Sequence, residues 1–194
     1  YLADVQRRIA AHGIGVNRLA TCYLNRLGSV DNRYSKGNHG NSSSYGPHRA
    51  FYNDSRLPVW RTGDDADDEG DDSLHFDQAY DNLHCARQAN VGAPEYSSLG
   101  CQVVAGVAGG SMARPGGELG PWKKFITNAY GVDQQHFGYA LFEEGEAQRT
   151  AVFGPETRPA TVRFGSTGEL AKRVQAGLVA AGFDLGPSGP DGLF

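Results

Sequence analysis

Cys101 and His84 are the two residues whose types and spacing suit nucleophilic chemistry. The first sits in Ser98-Leu99-Gly100-Cys101 and the second in Asn82-Leu83-His84. A cysteine used for acyl transfer needs a base within hydrogen-bond reach and N–H donors aimed at the developing oxyanion. Gly100 permits a tight turn and a close backbone approach, so the amides of Gly100 and Cys101, with Ser98 beside them, are candidates for the oxyanion site. His84 is the candidate base, because an imidazole stabilises the thiolate. The competing reading is that Cys101 is a small buried hydrophobe and His84 a hydrogen-bonded structural histidine.

Two metal readings stand beside this one. His39, His48 and His75 with Asp77 raise a zinc hydrolase, although no HExxH spacing is present. In the acidic run 64–72, Asp65, Asp67, Glu69 and Gly70 fall at the first, third, fifth and sixth positions of a calcium loop. Phe76 stands at the twelfth, where a bidentate Glu belongs, so a solvated loop of like charges is expected there. No resident metal and no cofactor is expected.

The elements that must position these residues are short. With 27 Gly and 9 Pro in 194 residues and a mean hydropathy of -0.47, many turns between brief elements are expected. The fold class is mainly β with peripheral helices (α+β). Leu2, Val5 and Ile9 predict an amphipathic helix over 2–13, and 37–46 reads as a loop. Leu57 to Arg61 reads as a strand, Cys101 to Val107 as a buried strand, and Phe137 to Phe142 as a further strand with alternating aromatics. Trp122, Phe125, Ile126, Ala129 and Tyr130 recur at helical spacing after Pro121, which predicts a helix with a buried face. Residues 150–163 carry two prolines and read as a linker. Beyond it, Ser166-x-x-Glu169 is a capping box, Leu170, Val174, Leu178 and Ala181 share a helix face, and Gly182 marks the helix end. The expected division is 1–150, a linker at 151–163, and 164–194.

Composition excludes some partners. A net charge of -4 and no Lys/Arg cluster argue against nucleic acid. The longest nearly apolar stretch, Cys101 to Gly110, is far short of the roughly 20 residues that span a bilayer, so no transmembrane segment is expected. No charged-then-apolar signal opens the chain, whose first residue is Tyr1 rather than Met. Three cysteines give neither a disulfide framework nor a CxxC-paired zinc site, which leaves at least one thiol over within this chain.

His84 followed by Ser98-Leu99-Gly100-Cys101 resembles the signature of the L,D-transpeptidase (YkuD-like) catalytic domain, an upstream His and then Ser/Thr-x-Gly-Cys. The resemblance covers roughly Val59 to Gly106. It implies a β-sandwich catalytic domain in 1–150 that attacks peptidoglycan stem peptides through a thioester on Cys101, with His84 as base. Leu99 stands where many members have a second His, Cys85 where Gly is usual, and Gln102-Val103 where an apolar residue precedes Arg or Asn. Gln102 and Arg87 are therefore the candidates for substrate binding.

The tail, with Val174-Gln175-x-x-Leu178-x-x-x-Gly182-Phe183 and then Asp191-Gly192-x-Phe194, looks like the first half of a peptidoglycan-binding module. Together these imply peptidoglycan as partner and a cell-envelope location, periplasmic or secreted, or delivery by a phage or secretion particle in assembly with other protein chains. The alternative is a catalytically silent wall-binding or structural component of such a particle.

Overall fold

The computed structural model describes residues 17–39, 47–61, 72–86, 98, 100–109, 116–154 and 161–194. Among them the chain forms β1 (Asn17–Leu19), β2 (Cys22–Leu24), β3 (Arg26–Leu27), β4 (Val30–Asp31), β5 (Tyr34–His39), β6 (His48–Tyr52), β7 (Leu57–Arg61), β8 (Ser73–Asp77), β9 (Leu83–Cys85) and β10 (Gln102–Val104). Helix α1 (Gly120–Tyr130), β11 (His136–Phe137), β12 (Tyr139–Leu141), α2 (Glu144–Phe153) and α3 (Glu169–Ala180) follow. The protein is mainly β with helices, as the composition implies. No helix among the described residues is long and apolar enough to cross a membrane. The chain divides into two compact units: 1–20 with 33–137, and 21–32 with 138–194.

The first unit holds two sheets. One is antiparallel, in the order β1-β7-β8, and the other runs β10-β9-β6-β5-β11. In β7, Leu57, Val59 and Arg61 alternate inward with half-buried Pro58 and Trp60, the period of two that a strand imposes. The five-stranded sheet is antiparallel except at its edge, where β10 runs parallel to β9 with Gln102, Val103 and Val104 opposite Leu83, His84 and Cys85. Helix α1 buries Trp122 and Ile126, the face predicted from their spacing. Tyr130 ties the helix to the sheet: its hydroxyl lies 2.8 Å from the Gly37 carbonyl and 2.6 Å from that of Ala50, and it accepts from the Gly37 amide at 3.0 Å. Phe51 packs edge-on against Phe125, Tyr130 and Phe137.

The second unit pairs β12 with β2 and closes the β3–β4 hairpin. Helix α3 ends as the sequence predicts. Gly182 takes φ 93°, its amide reaches the Val179 carbonyl, and the Phe183 amide reaches Leu178, which together cap the last turn. Gln175 clasps the C-terminal segment. Its Nε2 donates to Asp191 Oδ1 (3.0 Å) and to the Leu193 carbonyl (2.7 Å), while its Oε1 accepts from the Gly192 amide (2.7 Å). Arg163, buried beneath Tyr23 and Phe142, makes two bonds to the Glu146 carboxylate.

Several local expectations differ. The loop expected at 37–46 begins as strand, because Gly37 to His39 pair with β6 through Ala50, Arg49 and His48. The buried strand expected at Cys101 to Val107 is shorter and lies at the sheet edge, which leaves Val103 43% exposed. Gly138 breaks the single strand expected at Phe137 to Phe142 into β11 and β12, one in each unit. Residues up to Phe153 of the expected linker are helical, and the division falls at 137/138 with 21–32 joining the second unit. Ser166 does not cap α3. Its hydroxyl accepts from the Arg163 amide, Gly168 holds the N-cap position, and the buried face is Ala171 with Gln175 while Val174 is 36% exposed. The helix expected at 2–13, the acidic run from 64 to 71, Arg87, Leu99 and residues 155–160 lie outside the described residues.

Candidate functional site

Four neighbouring strands of the five-stranded sheet carry or adjoin the chemistry. His39 ends β5, His48 begins β6 opposite it, His84 is the middle residue of β9, and Cys101 immediately precedes β10. The parallel ladder is what joins the last two. The Gln102 amide donates to the Asn82 carbonyl at 2.9 Å, and the Ala86 amide donates to Val104 at 2.8 Å. A backbone locked at both ends of this register delivers Cys101 beside the strand that holds His84. One donor atom each from His39, His84 and Cys101 lie within 4.8 Å of one another.

His84 is 1% exposed, and its ring stacks on His39 with centroids 4.3 Å apart and planes 7° from parallel. His48 stands edge-on to both, at 5.5 and 6.0 Å. His84 Nδ1 lies 2.7 Å from the Cys85 carbonyl, which can only accept. Nδ1 therefore carries the proton in the neutral ring and Nε2 the lone pair, the form a general base needs.

Cys101 is half-buried, whereas Cys22 and Cys85 are fully buried, and no disulfide joins any of the three. Burial pushes the Cys101 thiol up. The Asn82 amide opposes this by donating to Sγ at 3.4 Å, and the negative Asp81 carboxylate adds to the rise. Ser98, with a buried hydroxyl that makes no hydrogen bond of full geometric quality, lies close enough to Sγ to favour the thiolate. The balance leaves the thiol above its ordinary value. Cys22, by contrast, is pushed up to about 12 by burial, against a smaller opposing effect of Arg163.

Gly100 takes φ 145°, and a Cβ there would lie 2.6 Å from the Asn17 carbonyl oxygen and 2.8 Å from its Nδ2. Conformation and space both demand glycine. Asn17 in turn is fixed by its neighbours: its Nδ2 donates to the Asp81 carboxylate, and its Oδ1 accepts from Arg61 Nη1 at 3.0 Å. Arg61 completes the chain by pairing with Asp77 at 3.1 Å. Tyr34, fully buried, brings its hydroxyl to the Asp81 carbonyl (2.9 Å) and to Gln102 Oε1 (2.6 Å), and Gln102 Nε2 donates to the Gly100 carbonyl at 3.5 Å. Gln102, a candidate for substrate binding, thus has its amide engaged within the turn and acts as a tether for it.

Of the sequence-derived candidates, the structure brings together His84, Cys101, Gly100 and Gln102 with Ser98 beside them, and Arg87 lies outside the described residues. The zinc grouping of His39, His48, His75 and Asp77 does not form. His75 and Asp77 lie on exposed β8 in the other sheet, bonded to Ser73 and Arg61, while His39 and His48 join His84. Asn17, Tyr34, Arg61, Asp81 and Asn82 were not anticipated. The one available signal was the polar pair Asp81-Asn82 immediately before the Leu83-His84 strand, where a buried β segment would have been apolar. Compared with known protein families, curated proteins and solved structures, the sequence and fold match none.

Proposed function

We propose that this chain is a peptidoglycan-directed cysteine acyltransferase or hydrolase of the L,D-transpeptidase or carboxypeptidase type, on a YkuD-like β-sandwich. The observation that supports it best is the approach of a buried, tautomerically fixed His84 to within 4.8 Å of a half-exposed Cys101 thiol. In this reading His84 Nε2 takes the Cys101 proton as Sγ attacks a stem-peptide carbonyl. The tetrahedral oxyanion is met by the Gly100 and Cys101 amides beside Ser98. The C–N bond then breaks, the leaving amine takes the proton from His84, and a thioester remains. An acceptor amine or water attacks it, His84 again receives and returns a proton, and the thiol is restored. Because burial raises the thiol, His84 in this reading works as a base in the attack itself.

The wall as substrate rests on the two sequence resemblances. Gln175 clasping Asp191, Leu193 and Gly192 accounts physically for the tail pattern that carries one of them. Action at the cell envelope, by export or by carriage on a phage or secretion particle together with other chains, belongs to the same proposal.

The test is stem-peptide cleavage or exchange on purified peptidoglycan fragments by the intact chain and by Cys101→Ala. The variant is expected to lose activity by roughly 10⁴-fold or more. Undiminished turnover in the variant would falsify the mechanism. Equal sedimentation of both proteins with insoluble peptidoglycan, with no turnover by either, would instead identify a silent wall-binding component.

A further inference from the structure

We propose that His39, His84 and Cys101 bind a single thiophilic divalent cation of the zinc class. One nitrogen from each imidazole and the thiol sulfur lie within 4.8 Å of one another, contributed by β5, β9 and the turn before β10. Tetrahedral zinc, with bonds of about 2.0–2.3 Å, holds its donors roughly 3.5 Å apart. The His39 and His84 rings are stacked near-parallel, so loading turns one imidazole, the less buried His39, out of the stack until both in-plane lone pairs meet the ion. The donor set of two imidazoles and one thiolate suits zinc over magnesium or calcium, which take oxygen ligands. Cys101 is half-buried, so solvent reaches the fourth position.

The surroundings are those of a ligand set. A metal-bound histidine has its other ring nitrogen held by a hydrogen bond that fixes the ring. His84 Nδ1 is held by the Cys85 carbonyl and His39 Nδ1 by the Asn82 side-chain amide, each at 2.7 Å. A half-turn of that amide presents its oxygen to His39 Nδ1–H and leaves Nε2 as donor. A second compact group, His48, His84 and Cys85, is fully buried and shares His84. Among the described residues the two groups therefore hold one ion between them, and a cation arriving from solvent meets the half-exposed thiol first. On binding, Sγ loses its proton to solvent and forms a bond to the metal. The loaded form is then silent in acyl transfer, a consequence that rests on the proposed function, whereas the binding does not.

The experiment titrates the metal-free full chain with zinc by calorimetry, and with cobalt, read by its thiolate charge-transfer absorption and its tetrahedral visible bands. One equivalent is expected. Cys101→Ser abolishes the charge-transfer band, His39→Gln weakens binding by at least about tenfold, and His75→Gln on the other sheet binds as the parent does. In the unaltered protein, zinc blocks alkylation of Cys101 and a chelator restores it, a readout independent of any variant's folding. No binding, binding that survives Cys101→Ser, or binding lost in Cys85→Ala instead overturns the site. One equivalent bound by a protein with no acyl-transfer activity overturns the proposed function and leaves the site standing.

Discussion

The turn around Cys101 in the first unit and the tail around Gln175 in the second solve the same problem by different means. Each is a short glycine-containing segment held in place by side chains. Around Gln175 both amide hydrogens and the oxygen go to backbone and carboxylate partners within the tail itself. Around Cys101, Asn17, Tyr34, Asp81 and Gln102 fix the backbone, and the thiol and imidazoles they surround keep their chemistry. A clasp made wholly of structural bonds yields stability. One whose polar effort goes into the frame yields a positioned reactive group.

That contrast can be broken from either side. The largest expected effect is on the second unit: Arg163→Met removes one partner of a buried ion pair and leaves Glu146 unmatched, costing about 3 kcal/mol. Chemical denaturation measures it, and an unchanged midpoint would show that the pair contributes nothing. Alkylation of Cys101 under native conditions should meanwhile stay at the parental rate. Next comes Gly100→Ala, which forces a methyl against Asn17 at φ 145° and costs about 2 kcal/mol. Its turnover should fall further than the loss of folded protein explains. A variant that keeps full activity per folded molecule would sever the turn from the chemistry.

The smallest effect is with pH. The bonds from Arg163 hold the Glu146 carboxyl below its ordinary value. At Glu118 burial pushes the carboxyl up, but the bonds from Arg49 prevail and hold it low. Folded values below the unfolded ones contribute stability above the ordinary carboxylate pKa of about 4.3, and that contribution is lost as pH falls through the folded values. Both units should therefore weaken in acid. Arg163→Met should flatten the acid dependence of the second unit and Arg49→Met that of the first, as unfolding midpoints taken across the acid range will reveal.

How much of this could be read beforehand depended on the range of the interaction. Trp122 with Ile126 on one helix face and Gly182 at a helix end are set by spacing within a turn or two of chain. That Cys101, its Gly100 turn and His84 would come together was legible because Ser-x-Gly-Cys after an upstream His is a distinctive pattern of types. Ser166 misled because a capping box is a pattern of types, and the hydroxyl bonded Arg163 instead. Gly138, a strand breaker, could have warned that Phe137 to Phe142 would not run through. What no local pattern encodes is the strand order β10-β9-β6-β5-β11, which alone brings His39 and His48 to His84. The same holds for Asn17 meeting Asp81 across 64 positions of sequence. Such pairings are settled by which faces bury together, and alternation within one strand leaves the partner unspecified.

The parallel pairing of β9 with β10 has a further consequence, for how such a site can change over generations. Cys101 and His84 are neighbours through a ladder, so the sequence between Ala86 and Ser98 does not set the distance between them. A change of length or sequence in 87–97 would leave Val103 opposite His84, and with that register the approach of Cys101 to His84.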